Sequence, residues 1–311
     1  MHDDGLALLE ARQDVEFSIK SNLTTDELKA GIQGADALIL RLSPLTADVI
    51  EAADNLKVVS RYGVGYDHVD VDAMTRANIP LAIVGQALSA SVAEHTLLLM
   101  LGVTRQIALM DRSTRNGNYD QRYKSPGQEM LGKTVLIVGL GKIGIQVAIR
   151  CAAFGMNIIT SGRAASKDLA KQQGYEFVPD FRDALPRADF ISLHLPARAD
   201  GTPLLGADEF AAMKPGAYVI NTARGSLIDE AALYTALTKG SLRGAGLDVT
   251  QDEPPAPDCP LLTLDNILFT PHNSALTQET GARVSQVCVR NALAGLDGTL
   301  DPANIVNGGN L

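Results

Sequence analysis

Short runs of β-branched and apolar residues alternate with amphipathic stretches over the first quarter of the chain. The runs that predict strands are residues 15–19, 37–40, 57–61 and 81–84, and the stretches that predict helices are 24–33, 46–53 and 70–77. Strands that alternate with helices predict a parallel sheet with crossover connections. A helix-like segment at 4–12 precedes the first run, so the opening strand of a doubly wound unit is either absent or lies upstream.

A helical pattern of apolar positions then runs from residue 89 to residue 116 with no proline inside it. At about 1.5 Å per residue, a helix of that length crosses a whole domain, and it is a candidate for an inter-domain or inter-subunit element. A second and stronger α/β series follows. Its predicted strands are 134–138, 157–161, 190–194, 218–222, 245–249 and 267–270, and a last helix is predicted at 278–296.

The charge balance limits the classes of ligand. The 311 residues include 27 Lys and Arg against 36 Asp and Glu, a formal net charge of −9. This balance argues against nucleic acid or an anionic membrane as a partner, because both require a basic face. No apolar run is long enough to predict a membrane span, and no secretory signal is recognisable. The three cysteines fit neither a disulfide framework nor a metal site, so we expect a metal-free, soluble, cytoplasmic protein.

A glycine-rich turn follows the strand at 134–138. It reads Gly139-Leu140-Gly141-Lys142-Ile143-Gly144, and a helix-like segment comes after it. In a dinucleotide site, the first glycine permits the tight turn and the second lets the backbone approach a pyrophosphate. The third lets the helix pack against the strand. Ordinary turn glycines are the alternative, but the strand before and the helix after favour a dinucleotide.

The end of the next strand predicts which dinucleotide is bound. It reads Ser161-Gly162-Arg163, with no acidic residue where NAD enzymes hold the ribose 2′-hydroxyl. A guanidinium at Arg163 suits a 2′-phosphate instead, although it is also compatible with an ordinary surface turn. We therefore predict a preference for NADP, with NAD also possible.

Three candidate catalytic residues lie at or just beyond predicted strand ends. Arg224 follows the strand at 218–222, Glu253 follows the strand at 245–249, and His272 follows the strand at 267–270. Parallel α/β sheets bind their ligands at this edge. Each residue alone is more often a cap or a solvated side chain, but their ordered placement beside a dinucleotide turn favours a catalytic set.

At this point the chain resembles the D-isomer-specific 2-hydroxy acid dehydrogenases. The matching motifs are 62–67, 92–96, 221–225 and 271–272, together with the glycine-rich turn. The resemblance implies an α/β protein in which a Rossmann-type doubly wound parallel sheet is inserted into a smaller, flavodoxin-like substrate domain. The boundaries would be 87–277 for the cofactor domain and 1–86, completed by 278–311, for the substrate domain. It also implies homodimers formed through the helix at 89–116.

The resemblance and the chemistry together assign roles. His272 would protonate the carbonyl oxygen of a 2-keto acid, Glu253 would orient the imidazole and favour its charged form, and Arg224 would bind the substrate carboxylate. By resemblance, the backbone amides of Val64 and Gly65 also bind that carboxylate. The cofactor-binding residues expected are Thr96, Gly139, Gly141, Lys142, Ile143, Gly144, Ser161, Arg163, Thr222 and Asp248.

The sequence therefore predicts an NADPH-preferring oxidoreductase of a small 2-keto or 2-hydroxy acid, such as glyoxylate or hydroxypyruvate. Two alternatives remain: a dinucleotide-sensing binding protein similar to a corepressor, and a formate or phosphite dehydrogenase of the same fold. The segment after His272, residues 273–275, departs from the small pair found in many relatives and leaves the substrate open. Arg41 is a further candidate for binding a substrate anion, and it is equally compatible with a surface position.

Overall fold

The structure is a computed structural model that describes residues 1–21 and 23–308. The chain divides into two compact units. One is formed by Met1–Leu88 together with Leu276–Leu311, and the other by Ser89–Ala275. The second unit is therefore an insertion in the sequence of the first. Within the described ranges, no helix combines the length and the apolar character needed to cross a bilayer.

The elements follow one another in chain order. Those before residue 89 are α1 (Asp3–Glu10), α2 (Thr25–Gly31), β1 (Ala37–Leu40), α3 (Ala47–Glu51), β2 (Val58–Arg61), α4 (Val71–Arg76) and β3 (Leu81–Ala82). The inserted unit contains α5 (Ser89–Thr104), α6 (Ile107–Arg115), α7 (Gln121–Lys124), β4 (Thr134–Val138), α8 (Lys142–Ala153), β5 (Asn157–Ser161), α9 (Ala165–Gln172), β6 (Glu176–Val178), β7 (Phe190–Leu193), α10 (Ala207–Ala212), β8 (Ala217–Asn221), α11 (Glu230–Thr238), β9 (Leu242–Leu247) and β10 (Ile267–Phe269). The last helix is α12 (Gln278–Leu296).

The smaller unit is built on a parallel sheet of order β1-β2-β3. Helix α12 packs closely on β2, because a Cβ at Gly295 would collide with the side chain of Val58. The predicted strand at 15–19 is wrong, since these residues form no regular element. Phe17 and Ile19 are exposed, so this run has neither a partner strand nor a buried face. Strand formation needs both, and a short β-branched run cannot show whether they exist.

The larger unit is built on seven parallel strands in the order β10-β9-β8-β7-β4-β5-β6. From β4 the chain first runs outward through β5 and β6, then crosses to β7 and continues to β10 on the other side. This is a doubly wound Rossmann-type sheet, whose ligand crevice lies at the carboxyl ends of the strands where the order reverses, here between β4 and β7. Leu136, Ile137 and Ile191 are completely buried, as expected for strands covered on both faces.

The prediction of one continuous helix over 89–116 is wrong. The chain forms α5 and α6 instead, and Gln106 between them adopts a left-handed conformation with φ of 51°. The carbonyl oxygen of Thr104 accepts a hydrogen bond of 3.0 Å from the backbone N–H of Gln128, which replaces the helical partner at that point. The break depends on a loop more than twenty residues away, so the apolar pattern continues through it without a signal.

Candidate active site

The turn between β4 and α8 passes too close to its surroundings for side chains. Gly139 has φ of 101°, and a Cβ there would lie 2.5 Å from the carbonyl oxygen of His194 at the end of β7. A Cβ at Gly144 would overlap the carbonyl oxygen of Gly139. Packing of the protein itself therefore requires glycine at the first and third positions, because a side chain there would prevent the strand, turn and helix from packing together.

Gly141 differs from the other two glycines of the turn. A Cβ at this position would meet no atom of the described residues within 4 Å. Gly141 caps the N-terminus of α8, where Lys142 and Ile143 are the first two helical residues and Lys142 is exposed. The N-terminal amides of a helix favour an anion, and the space beside Gly141 lets one approach. The turn therefore fits the pyrophosphate of a dinucleotide.

The end of β5, residues 161–163, carries a cation and no acidic residue. The Ser161 hydroxyl is buried and donates to the carbonyl oxygen of Pro179 at 3.4 Å, so it serves the protein itself. Arg163 is exposed, and among the described residues its guanidinium has no hydrogen-bond or ion-pair partner. Arg163 is therefore the group at this strand end that is available to a phosphate.

His194 follows β7 directly beside the glycine-rich turn. Its Nε2 lies 2.8 Å from the hydroxyl of Ser192, which is fully buried within the strand. Burial of the imidazole lowers the pKa of His194 to about 3, because a charged ring there would lose its hydration. The ring is therefore neutral at physiological pH and supports the turn without adding charge.

Arg224 is carried by a braced loop after β8. The fully buried amide of Asn221 accepts a hydrogen bond from the backbone N–H of Ala223 at 3.0 Å and donates to the carbonyl oxygen of Arg224 at 2.8 Å. The Arg224 guanidinium donates from Nη1 to the carbonyl oxygen of Ala223 at 2.6 Å. Sequence reasoning missed the bracing role of Asn221, although an Asn at a strand end is a common signal for such a turn.

The loops after β8 and β9 touch at their backbones. A Cβ at Gly225 would overlap the carbonyl group of Thr250, so the segment next to Arg224 packs directly on the segment that leads to Glu253. This close approach requires glycine. It brings the loop of Arg224 and the loop of Glu253 to the same edge of the sheet, as the strand order predicts.

Glu253 and His272 form a pair at this edge. The carboxylate oxygen Oε2 lies 2.6 Å from Nδ1 of the imidazole. The two side chains are 39% and 50% exposed, so the ring is held on one side and reachable by solvent and ligand on the other. A cavity of about 380 Å³ adjoins the pair, with Pro254, Leu262 and Phe269 on its apolar wall.

Asp248 organises the loop that carries His272. Its buried carboxylate accepts hydrogen bonds from the Thr270 hydroxyl at 2.6 Å and from the backbone N–H groups of Asn273 and Ser274, both at 3.0 Å. Its carbonyl oxygen accepts from the backbone N–H of His272 at 2.8 Å. The resemblance assigned Asp248 to the cofactor, and the structure adds this role in holding the loop of His272.

Two further predicted cofactor residues meet beneath the strand ends. The hydroxyls of Thr96 on α5 and Thr222 after β8 lie 3.0 Å apart, and both residues are buried. The Thr96 hydroxyl donates its single hydrogen to the carbonyl oxygen of Val92 at 2.8 Å, so Thr222 donates to Thr96.

Asn273 has a buried side-chain oxygen that accepts no hydrogen bond from the described part of the chain. Such an acceptor beside His272 fits an amide N–H of a ligand.

Val64 and Gly65 belong to the smaller unit, where they follow the carboxyl end of β2. The turn before them is fixed by backbone hydrogen bonds from Gly63 to the carbonyl oxygen of Arg61 at 2.8 Å and from Val84 to that of Gly63 at 3.2 Å. Arg41 is exposed just beyond β1. The roles of these residues in binding a carboxylate or phosphate stay predictions.

Comparison with known proteins gives the family. Residues 97–274 match the model of the D-isomer specific 2-hydroxyacid dehydrogenase, NAD binding domain. The chain is 42% identical over 308 residues to D-3-phosphoglycerate dehydrogenase of Methanocaldococcus jannaschii, covering 99% of this chain and 58% of that protein. The chain spans about half the length of the curated D-3-phosphoglycerate dehydrogenases that it matches.

Two further similarities cover their counterparts more fully. The chain is 36% identical over 280 residues to glyoxylate reductase of Korarchaeum cryptofilum, covering 89% of this chain and 84% of that protein. A structure of NADPH-dependent glyoxylate/hydroxypyruvate reductase from Sinorhizobium meliloti, in complex with NADP and malonate, is 29% identical with a TM-score of 0.83, covering 94% of this chain and 90% of that one. With the Rossmann-type sheet, the glycine-rich turn and the Glu253–His272 pair in place, the chain belongs to the D-isomer-specific 2-hydroxyacid dehydrogenase family.

Proposed function

We propose that the protein is an NADPH-preferring reductase of small 2-keto acids such as glyoxylate or hydroxypyruvate. The observation that carries the proposal is the 2.6 Å contact between Glu253 and His272 at the carboxyl edge of a dinucleotide-binding sheet. An imidazole with one nitrogen held by a carboxylate and the other side open is an acid–base group for a carbonyl oxygen. The similarity to glyoxylate reductases supports the same reaction.

The residues account for the atoms of the reduction. A reduced nicotinamide, when bound, would supply the hydride that the carbonyl carbon accepts. His272 in its charged form donates the Nε2 proton to the carbonyl oxygen, so that the C=O group becomes a C–OH group and the imidazole becomes neutral. Glu253 keeps the Nδ1–H in its hydrogen bond throughout, which fixes the ring orientation. The half-exposed ring recovers its proton from solvent.

Arg224 would bind the carboxylate of the substrate and polarise the neighbouring carbonyl. A guanidinium suits this task because its N–H groups match the two carboxylate oxygens. The position matters because the whole chain carries a net charge of −9, so an anionic substrate needs a local cation. In the smaller unit, the backbone amides of Val64 and Gly65 are proposed as further carboxylate donors.

Arg163 supports the cofactor preference. It is an exposed cation at the end of β5, where the adenosine ribose of a dinucleotide is recognised, and the adjacent residues are Gly162 and the buried Ser161. A 2′-phosphate gains a charge-assisted hydrogen bond from Arg163, and residues 161–163 include no acidic side chain that would repel it. NAD lacks that phosphate and would bind without this contribution.

Oxidation of 3-phosphoglycerate is the second candidate. It is favoured by the 42% identity to a D-3-phosphoglycerate dehydrogenase, which exceeds the 36% identity to the glyoxylate reductase of Korarchaeum cryptofilum. The same Arg224, Glu253 and His272 would serve, with His272 accepting a proton instead of donating it. Arg41, exposed beyond β1, offers a cation for the substrate phosphate.

A substrate panel separates these candidates. Purified protein is mixed with NADPH or NADH and with glyoxylate, hydroxypyruvate, pyruvate or 3-phosphohydroxypyruvate, and consumption of the cofactor is followed by absorbance. We expect turnover of the small unphosphorylated keto acids, faster with NADPH. A marked preference for 3-phosphohydroxypyruvate favours the second candidate, and tight NADPH binding without turnover of any keto acid contradicts both.

A further inference from the structure

The loop that carries His272 (residues 270–274) is attached to α5 by two side chains that the proposed reaction does not use. Ser91 and His95 lie four residues apart near the start of α5, so they share one face of the helix. His95 contacts Thr270, and Ser91 contacts Ser274. The two ends of the loop are therefore tied to one helix.

His95 holds the loop through the Thr270 side chain. Its Nε2 lies 2.8 Å from the Thr270 hydroxyl, which lies 2.6 Å from a carboxylate oxygen of Asp248. A carboxylate only accepts hydrogen bonds and a hydroxyl has one hydrogen, so Thr270 donates to Asp248 and His95 donates from Nε2 to Thr270. The imidazole of His95 is only 13% exposed, so this chain of hydrogen bonds is largely shielded from water.

The Ser91 side chain holds the loop by a hydrogen bond to the loop's backbone at Ser274. The Ser91 hydroxyl donates to the carbonyl oxygen of Ser274 at 2.6 Å, and both residues are buried. The backbone N–H of Ser274 donates to Asp248 at 3.0 Å. Ser274 is thus fixed at its carbonyl group by α5 and at its N–H group by the residue after β9.

The residue between these anchors has a strained backbone. His272 has φ of 50°, in the left-handed region that residues other than glycine seldom adopt. Such a conformation is unfavourable for a residue with a side chain and persists only where the surroundings determine it. It directs the ring so that Nδ1 meets Glu253. The contacts of Thr270 and Ser274 on either side of His272 are the surroundings that can maintain it.

We propose that Ser91 and His95 are positioning residues for catalysis. Through residues 270–274 they maintain the left-handed conformation of His272 and hence its alignment with Glu253. Neither side chain needs to touch substrate or cofactor. The inference rests on the proposed function in so far as His272 is the acid of that reaction.

The test measures kcat and KM in variants of the full chain. In Ser91→Ala and in His95→Leu, we expect kcat to fall about tenfold, while KM for NADPH and for the keto acid changes less than about threefold, because only the alignment of the acid is lost. The conservative variants Ser91→Thr and His95→Gln keep a donor at the same place. They should restore kcat to within about threefold of the original value.

A matched control removes a similar hydrogen bond elsewhere in the same unit. The Ser241 hydroxyl donates to the carbonyl oxygen of Ala236 at 3.0 Å, and Ser241→Ala should leave kcat unchanged. The proposal is overturned if folded Ser91→Ala and His95→Leu proteins keep their kcat. It is also overturned if the loss lies in KM for NADPH, or if Ser91→Thr and His95→Gln fail to restore turnover. If His95→Leu does not fold, Ser91→Ala decides the question.

Failure of the proposed function can be recognised separately. If the unsubstituted protein reduces no keto acid, the reaction is wrong, and the positioning role is then measured by ¹⁵N NMR of the imidazoles, with the His272 signals assigned from His272→Gln. Ser91→Ala should shift or broaden the His272 signals and leave those of His2 in place. Unchanged His272 signals in Ser91→Ala would overturn the positioning role whatever the reaction is.

Discussion

His194 and His272 each follow a strand of the same parallel sheet, but their surroundings are opposite. His194 is packed beside the glycine-rich turn, has the Ser192 hydroxyl as its partner, and is kept neutral because burial lowers its pKa to about 3. His272 is half exposed and has the Glu253 carboxylate at 2.6 Å. The residue type and the strand-end position are shared, so the environment decides which imidazole supports structure and which is suited to chemistry.

The two histidines represent two halves of the carboxyl edge. The half formed by β4, β5 and β7 is made of backbone turns, close glycine contacts and a neutral imidazole, and it fits a phosphate-containing ligand. The half formed by β8, β9 and β10 presents Arg224, Glu253 and His272 on loops held by buried side chains. The first half should therefore control binding of the cofactor, and the second should control turnover.

Replacement of His272 by alanine should have the largest effect on turnover. Loss of a positioned general acid lowers kcat by roughly 10²–10⁴-fold. Steady-state kinetics with the best keto acid measures this loss, and a fluorescence titration should show NADPH bound with nearly the original affinity. The parallel variant His194→Gln should keep most of its turnover. If His272→Ala retains kcat, the division into two halves is wrong.

Replacement of Gly144 and of Gly141 by alanine should distinguish a glycine that the protein's own packing requires from a glycine that leaves space for the ligand. In Gly144→Ala the new Cβ overlaps the carbonyl oxygen of Gly139, so we expect a loss of about 1–3 kcal/mol in the free energy of unfolding together with weaker NADPH binding.

In Gly141→Ala the Cβ meets no described protein atom, so NADPH binding should weaken at least about tenfold. Stability should change by less than about 1 kcal/mol. Urea unfolding and NADPH titration of both proteins provide the comparison. Unchanged NADPH affinity in Gly141→Ala would show that the space beside Gly141 is not used by the cofactor.

These glycines also show how far sequence reasoning reaches. The turn is contained in residues 134–144, so strand, glycine spacing and helix can be recognised together, and the structure has all three. In the half of the edge formed by β8, β9 and β10, the supporting contacts join distant parts of the chain. Examples are the contacts between Ser91 and Ser274 and between Asp248 and Thr270. No local pattern indicates such pairs, so Ser91 and His95 were not predicted as part of the site. The contacts of Asn221 with Ala223 and Arg224 are local, and its position at a strand end was a signal that was missed.

The same reason explains the errors in the fold. The break between α5 and α6 depends on the hydrogen bond from Gln128 to Thr104, and the absence of a strand at 15–19 depends on the lack of a neighbour to pair with. The short strand β6 was not predicted, because its three residues are recognisable only through their pairing with β5. Patterns within one segment predict the elements of this protein well, whereas contacts between segments decide where they end.

Removal of the Arg163 guanidinium should change the cofactor preference without changing the chemistry. One charge-assisted hydrogen bond contributes about 1.5–3 kcal/mol, so the ratio of kcat/KM with NADPH to that with NADH should fall about ten- to a hundredfold in Arg163→Ala. Initial rates with both cofactors measure it. Arg187→Ala removes an exposed arginine that precedes β7, at the opposite edge of the sheet, and should leave the ratio unchanged. If Arg163→Ala keeps the ratio of the unsubstituted protein, the proposed role of Arg163 in NADP preference is contradicted.

The smallest expected effect is a change in acid sensitivity at His194. The folded protein keeps this ring neutral down to about pH 3, whereas the unfolded chain protonates it near its ordinary pKa of about 6.5. The unfolded state therefore binds more protons below pH 6.5, and stability falls as the pH is lowered toward 3. Between pH 7 and pH 5 this one group contributes a loss of about 2 kcal/mol.

In His194→Gln, which does not titrate, the fall in stability between pH 7 and pH 5 should be smaller by that amount. Urea unfolding at both pH values tests it, and His2→Gln at the exposed N-terminus is the control. An unchanged acid dependence in His194→Gln would mean that the pKa of His194 is the same in the folded and unfolded states, so that burial does not lower it.

The order of the strands has a consequence for how such an enzyme can diversify. Arg163 stands at the end of β5, while Glu253 and His272 follow β9 and β10, and β4, β7 and β8 separate the two places. Under the proposed assignment, a substitution at position 162 or 163 would change which dinucleotide is preferred and leave the Glu253–His272 pair in place.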